Sequence, residues 1–84
     1  MKKVTIYIKP TCGFCKKALL VLKRYEVNPT IIDIAANPGR KPEMVTKANG
    51  RATVPQIFFE DEHIGGCNEL VQIEKRGRLN ERLA

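Results

Sequence analysis

The chain has 84 residues, 43% of them hydrophobic, and its 15 Lys and Arg against 9 Asp and Glu give a formal charge of +6. This length and composition suit a single domain, expected to span residues 1–84, with a core of its own. The basic residues are spread along the chain without a dense block, a membrane-spanning stretch or a nucleic-acid motif. We therefore expect a solvated basic surface and neither a membrane nor a nucleic-acid partner.

The first half of the chain predicts a strand, a helix and a second strand. The β-branched run Val4–Ile8 is apolar on both faces, which is typical of a central strand. Apolar residues at helical spacing follow over residues 13–25, and Thr11 or Cys12 is expected at the N-cap. A second β-rich run covers residues 30–34, so the unit implies a parallel pair of strands.

The second half predicts a helix, a hairpin and a last helix. A helix is expected over residues 43–48, with Pro42 in its first turn. A strand follows over residues 53–59, with Pro55 as its first paired residue, and a short strand at residues 63–64 completes the hairpin. A helix from residue 67 or 68 to 76 and a final turn at Leu79–Leu83 end the chain. The order βαβαββα predicts an α/β fold with a four-stranded mixed sheet flanked by helices.

Cys12 and Cys15 stand three residues apart at the turn from the first strand to the first helix. A thiol there faces the positive end of the helix dipole, which favours the thiolate, as do Lys9 and Lys16. Residues at this spacing share a helix face, so the two sulfurs can form a bond with little movement. We interpret them as a redox couple in which Cys12 is the exposed nucleophile and Cys15 the more buried resolving thiol. With only three cysteines in the chain, a reducing, cytoplasmic setting is expected.

Three motifs together carry a family resemblance: Cys12-Gly13-Phe14-Cys15, Thr53-Val54-Pro55 and Gly65-Gly66-Cys67. In this order and at these separations the chain resembles the glutaredoxins, of the short bacterial dithiol type, over residues 4–83. The resemblance implies a thioredoxin-like fold and a glutathione-dependent oxidoreductase that reduces protein disulfides and glutathione mixed disulfides through Cys12 and Cys15. It also implies a monomer whose partners are glutathione and disulfide-containing or glutathionylated proteins, with ribonucleotide reductase as a family-level candidate.

The resemblance further implies where glutathione binds. A cis Pro55 exposes the Val54 backbone beside Cys12 for pairing with the cysteinyl unit of glutathione, and the amides of Cys67 and Asn68 meet its γ-glutamyl carboxylate. Asn68 stands where the family commonly has Asp, which removes a charge. The predicted ligand-binding residues are Lys9, Phe14, Thr53, Val54, Pro55, Gly66, Cys67 and Asn68, with Arg40 or Lys41 as further candidates for the glycyl carboxylate.

Gly13 and Phe14 give an alternative function within the same resemblance. They match the monothiol glutaredoxins, which carry iron–sulfur clusters, whereas Cys15 matches the dithiol members. Dithiol members without a proline at position 13 can hold a [2Fe–2S] cluster between two subunits, with a thiolate such as Cys12 from each subunit and two glutathiones as ligands. A cluster-binding or cluster-transfer protein is therefore the second hypothesis.

Two further alternatives arise from the residues: a zinc site, which we do not favour, and a different electron donor. The side chains of Cys12, Cys15, His63 and Cys67 supply the donor types of a tetrahedral zinc site, although their spacing is unusual. In the absence of zinc we expect His63 in the hairpin and Cys67 as a semi-exposed extra thiol. A flavin reductase could replace glutathione as the source of electrons.

Overall fold

The computed structural model of the protein describes residues 1–84. One mixed sheet has the strand order β2-β1-β3-β4, formed by β1 (Val4–Ile8), β2 (Thr30–Asp33), β3 (Gln56–Phe59) and β4 (Glu62–Gly65). β1 pairs in parallel with β2 and antiparallel with β3, and β3 and β4 form an antiparallel hairpin. The predicted four-stranded mixed sheet is confirmed.

Four α-helices accompany the sheet: α1 (Gly13–Arg24), α2 (Lys41–Lys47), α3 (Cys67–Lys75) and α4 (Leu79–Leu83). A 3₁₀ turn at Pro38–Arg40 precedes α2. The predicted order is confirmed, with α4 at the position of the expected final turn. None of these helices has both the length and the apolar character needed to cross a membrane.

The third strand begins later than predicted. It starts at Gln56 and not at residue 53, and Pro55 stands immediately before it. Proline has no N–H to donate to a ladder, so the strand starts only at the residue after it. Residues 53–55 consequently form a loop at the end of the sheet, and this loop becomes one wall of the site described below.

Helices cover both faces of the sheet, as the apolar character of β1 predicts. Ile6 of β1 belongs to a buried cluster with residues of α1, α3 and α4, among them Leu22 and Leu70. Tyr7, the next residue along the strand, points to the opposite face and contacts a second cluster that includes Met44 of α2. Burial of one large apolar side chain stabilises a fold by about 1.5–3 kcal/mol, so the two clusters fix the sheet between its helices.

Candidate active site

Cys12 is the N-cap of α1 and ends the short turn that follows β1. Its backbone has an extended conformation, its N–H donates a hydrogen bond to the Lys9 carbonyl at 3.2 Å, and its sulfur accepts one from the Cys15 N–H at 3.1 Å. The sulfur therefore lies at the positive end of the helix, on a side chain that is partly exposed. Of the two N-cap candidates, the structure selects Cys12.

Cys15 lies one turn further along α1 and faces the protein interior. Its side chain is 1% exposed, and it is a free thiol, as are Cys12 and Cys67. Burial, followed by the hydrogen bond and the charge of Cys12, raises the pKa of Cys15 to about 12, although the Lys9 backbone acts in the opposite direction. The placement predicted for the two thiols, with Cys15 the more buried, is confirmed.

Cys67 differs from its prediction. We expected a semi-exposed thiol, yet Cys67 is 4% exposed and belongs to the main core cluster together with Leu70. It is the first residue of α3, and it turns inward because α3 packs against α1. Burial raises the pKa of the Cys67 thiol, and the nearby charge of Lys17 offsets part of that effect.

The loop before β3 lies beside Cys12. The Val54 carbonyl oxygen is 3.7 Å from the Cys12 sulfur, and the Val54–Pro55 peptide bond is cis, as the resemblance implies. A groove of about 290 Å³ opens next to this contact. Its nine lining residues are Phe14, Arg51, Thr53, Val54, Pro55, Gly66, Cys67, Asn68 and Glu69.

Seven of the eight predicted ligand-binding residues line this groove, and Lys9 does not. The Lys9 side chain is exposed, and its backbone oxygen contacts Cys12. Arg40 instead forms a two-pronged ion pair with Glu43 at the start of α2, and Lys41 is exposed in the same turn. The structure therefore brings together the residues of the second and third motifs with Phe14, and a direct role for Lys9 stays a prediction.

Two lining residues, Arg51 and Glu69, were not predicted from the sequence. One carboxylate oxygen of Glu69 accepts a hydrogen bond from the Gly66 N–H at 2.6 Å and forms an ion pair with Arg51 at 2.8 Å. Those two contacts, in that order, lower the pKa of Glu69. Glu at the third position of a helix that follows a glycine turn is a capping signal, and it could have indicated this residue. Glu69 places a negative charge beside Asn68, which lacks one.

The two glycines before α3 allow the backbone to approach the loop. A Cβ atom on Gly66 would lie 3.2 Å from the Pro55 carbonyl oxygen. Gly65 has a φ of +122°, in the region that favours glycine, and a Cβ atom there would lie 2.5 Å from Glu69. The Gly65-Gly66 turn is therefore what lets α3 and the loop before β3 form the two walls of one groove.

The zinc alternative, which we did not favour, does not agree with this geometry. No group of three or more His, Cys, Asp and Glu side chains is placed to hold a metal ion. His63 lies in β4, where its Nε2 is 2.7 Å from the Gln56 side-chain oxygen and its ring stacks at a tilt on Phe58. The four side chains therefore give no support to the zinc alternative, and His63 lies in the hairpin, as we expected.

The chain matches one protein-family model, that of the glutaredoxins, over residues 4–64. Among curated proteins it is 41% identical to glutaredoxin 3 of Escherichia coli K12 over 80 residues, which are 95% of each chain. The solution structure of a Brucella melitensis glutaredoxin superposes with a TM-score of 0.84 at 38% identity, over 99% of this chain and 89% of that one. A further structure, concerned with metal binding of glutaredoxins, aligns at a TM-score of 0.73 and 37% identity over 99% and 89% of the two chains.

Proposed function

Because the chain belongs to the glutaredoxin family of thiol–disulfide oxidoreductases, we propose that it takes its electrons from glutathione and reduces protein disulfides and glutathione mixed disulfides. The groove beside Cys12 is the observation that carries this proposal. A donor such as a flavoprotein reductase would need only an exposed dithiol. A tripeptide thiol needs backbone and charged groups near the sulfur, and groups of both kinds line the groove beside the contact between Cys12 and Val54.

Val54 supports the binding of a peptide-like ligand. Val54 precedes β3 and takes no part in the β ladder, and its carbonyl oxygen is 3.7 Å from the Cys12 sulfur. An extended peptide can pair with such a backbone as a short added strand, which would bring the cysteinyl sulfur of the ligand towards Cys12. The proposed pairing uses the N–H and the carbonyl of Val54.

The α3 side of the groove suits the γ-glutamyl unit of glutathione, which carries both a carboxylate and an ammonium group. The amides of Cys67 and Asn68 open α3 and are available to a carboxylate. The Glu69 carboxylate, which also lines the groove, suits the ammonium group of the same unit. Arg51 forms an ion pair with Glu69 and so partly neutralises the carboxylate that the ammonium group of the ligand would meet. Lys9, which does not line the groove, stays the proposed partner of the glycyl carboxylate at the other end of glutathione.

The proposed reaction begins at Cys12. Its thiolate attacks the glutathione sulfur of a mixed disulfide, forms a Cys12–glutathione disulfide and releases the protein thiol. A second glutathione thiolate then attacks the bound glutathione sulfur, which yields oxidised glutathione and restores the Cys12 thiolate. Cys12 alone suffices for this cycle, because the glutathione of the mixed disulfide and one free glutathione leave together as oxidised glutathione and no second protein thiol takes part.

A protein disulfide requires Cys15 as well. After Cys12 has formed a mixed disulfide with the protein, the Cys15 thiolate attacks the Cys12 sulfur, which forms a Cys12–Cys15 disulfide and releases the substrate thiol. Two glutathione thiols then reduce that disulfide and leave as oxidised glutathione. The hydrogen bond and the charge of Cys12 are among the causes that raise the pKa of Cys15, after burial. Both depend on the Cys12 thiolate and end when its sulfur enters a disulfide. Cys15 therefore becomes easier to deprotonate at the step that needs it.

Two matched variants test the proposal. Cys12→Ser is expected to abolish the reduction of a glutathionylated peptide in an assay supplied with glutathione and no reductase. Cys15→Ser is expected to retain that activity and to lose the reduction of a protein disulfide. Retained activity in Cys12→Ser would contradict the assignment of the nucleophile, and a wild-type protein that turns over only with a flavin reductase would contradict the donor.

Binding of a [2Fe–2S] cluster is a second candidate function, and the surroundings of Gly13 favour it. A Cβ atom at Gly13 would meet nothing within 4 Å, and Phe14 is 61% exposed, so the surface beside Cys12 is open. Each chain would supply the Cys12 thiolate, and glutathione in the groove would supply another. A two-iron cluster takes four such ligands, so a dimer with two glutathiones is required. The similarity to a glutaredoxin structure concerned with metal binding agrees with this candidate.

Gly13→Pro tests the second candidate separately from the first. Gly13 is the first residue of α1, a position that accepts proline, so the variant is expected to fold and to retain reductase activity. After anaerobic reconstitution with iron, sulfide and glutathione, the wild-type protein should give a dimer with visible absorbance, and the variant should give much less. A colourless wild-type monomer under these conditions would overturn the second candidate and leave the first intact.

A further inference from the structure

A buried hydrogen-bond chain connects the β3–β4 hairpin to the loop beside Cys12. Gln56 is the one polar side chain in the buried core, with no exposed surface. Its side-chain nitrogen donates to the Thr53 carbonyl oxygen at 2.9 Å and lies 3.4 Å from the Thr53 hydroxyl. Its side-chain oxygen faces His63 Nε2 at 2.7 Å. The hydrogen bonds therefore connect His63 through Gln56 to Thr53, the first residue of the Thr53-Val54-Pro55 motif.

The acceptors in this chain fix the position of the proton on His63. The Thr53 carbonyl can only accept, so the Gln56 amide must point its nitrogen towards Thr53 and its oxygen towards the imidazole. His63 Nε2 must then carry a hydrogen. Its Nδ1, which is 3.4 Å from the Asn49 side-chain nitrogen, is left as an acceptor. Burial and the charge of Arg51 both lower the pKa of His63, against a smaller opposing influence of Glu69, and so favour this neutral form.

We propose that His63 is a positioning residue for the groove: through Gln56 it holds the Thr53 carbonyl and thereby fixes the Val54 backbone against which the thiol ligand pairs. This inference rests on the proposed function. Without the imidazole donor, the Gln56 oxygen would be buried without a partner, and its amide would be free to turn away from Thr53. The loop would keep its sequence but lose the contact that orients the peptide next to Cys12.

The proton position can be measured directly because His63 is the single histidine of the chain. Long-range ¹H–¹⁵N NMR correlation at neutral pH distinguishes the two neutral tautomers of an imidazole. We expect Nε2 protonated and Nδ1 unprotonated. A spectrum that shows Nδ1 protonated would overturn the inference, because His63 would then have no hydrogen to donate to Gln56. This measurement needs neither a variant nor a substrate.

Two variants at this position separate the donor from the volume of the side chain. His63→Phe keeps a ring but removes the donor, whereas His63→Gln keeps an N–H near the place of Nε2 and cannot titrate. In the glutathione-coupled assay we expect His63→Phe to raise KM for glutathione about five-fold, the equivalent of about 1 kcal/mol, with kcat changed less than about two-fold. We expect His63→Gln to restore most of that KM. Asp61→Asn, at the exposed hairpin turn, is the control and should match the wild type.

The outcomes separate this inference from the function on which it rests. Equal KM values for His63→Phe and the wild type, or a His63→Gln that behaves like His63→Phe, would overturn the positioning role while glutathione turnover by the wild type stands. A wild type without glutathione turnover would overturn the proposed function and this inference together. If His63→Phe does not fold, the NMR tautomer decides.

Discussion

The sulfur of Cys12 lies 3.7 Å from the backbone oxygen of Val54, although 42 residues separate them in the chain. The first belongs to the turn after β1, and the second to the loop before β3, the strand that pairs with β1. Because β1 and β3 run antiparallel, the end of one strand meets the start of the other. The sheet pairing therefore creates the contact between the nucleophile and the backbone that is proposed to bind its ligand.

Because Cys12 is partly exposed and the other two cysteines are buried, Cys12 should be far more reactive than they are. At pH 8 we expect iodoacetamide to modify Cys12 first and to leave Cys15 and Cys67 largely intact. Burial raises the pKa of both, in the case of Cys15 from 9.0 to about 12, and a shift of that size lowers the thiolate fraction about 10³-fold. Intact mass followed by peptide mapping measures the order of modification. Comparable early labelling of Cys15 and Cys12 would contradict the assignment of roles.

Glu69 is expected to contribute to the binding of glutathione. Glu69→Gln keeps an oxygen for the Gly66 N–H but removes the charge proposed to meet the ligand's ammonium group. We expect a KM for glutathione about ten-fold higher, since a hydrogen bond to a charged group contributes about 1.4 kcal/mol or more. The increase should shrink at high ionic strength.

The control for Glu69 lies on the same helix. Glu74→Gln removes a carboxylate that pairs with Arg24 on the outer surface, away from the residues that line the groove. It should leave KM unchanged. Equal effects of the two substitutions would show that Glu69 acts only through the net charge of the protein.

Local patterns in the sequence predicted most of the fold. The apolar run of β1 and the helical spacing of α1 are strong signals, and both elements agree with the prediction to within one residue. The predicted start of β3 was wrong because Thr53 and Val54 have high strand propensity, while Pro55 has no N–H with which to extend the ladder to them. A single missing donor outweighed the propensity of its neighbours.

The parts of the site that were missed depend on contacts between distant residues. Arg51 and Glu69 are 18 residues apart and meet only because β4 returns α3 to the loop before β3. The burial of Cys67 was missed because the inward face of the first residue of a helix depends on how that helix packs. The link from His63 to Gln56 crosses the hairpin, and no pattern within either strand predicts it.

A polar cluster of Tyr7, Arg40 and Glu43, on the face of the sheet that α2 covers, should stabilise the fold in a way that depends on pH. Glu43 accepts hydrogen bonds from the Tyr7 hydroxyl at 2.7 Å and from Arg40. The Arg40 guanidinium, followed by Tyr7, lowers the pKa of Glu43 from 4.5 to about 2. A lowered pKa means that the unfolded state binds the proton more tightly, so this stabilisation is complete above about pH 4.5 and is lost as the pH falls towards 2.

Glu43→Gln measures that contribution. We expect it to lower the free energy of unfolding at pH 7 by about 1 kcal/mol, well below the full linkage value because the pair is partly exposed and screened by solvent. The difference from the wild type should diminish below about pH 4 in urea titrations. Glu81→Gln, which removes an exposed pair with Arg78, is the control and should cost little. A difference independent of pH would show that the carboxylate charge is not the cause.

Gly65 provides a test that joins backbone strain to ligand binding. Its φ of +122° is one that L side chains rarely adopt, and a Cβ atom there would lie 2.5 Å from the Glu69 carboxylate oxygen and 2.7 Å from Glu69 Cγ. Gly65→Ala must therefore strain the backbone and displace Glu69. We expect a loss of about 2 kcal/mol in the free energy of unfolding, together with a higher KM for glutathione.

Gly77→Ala is the matched comparison, because Gly77 also has a positive φ, of +69°, but a Cβ atom there would meet nothing within 4 Å. It should cost about 1 kcal/mol from the backbone alone and leave KM unchanged. Urea unfolding and glutathione kinetics on the same preparations give both quantities. If both variants lose the same stability and neither changes KM, the contact between Gly65 and Glu69 does not maintain the groove. If only Gly65→Ala raises KM, the glycine is required because the Glu69 carboxylate occupies the space that a side chain would fill.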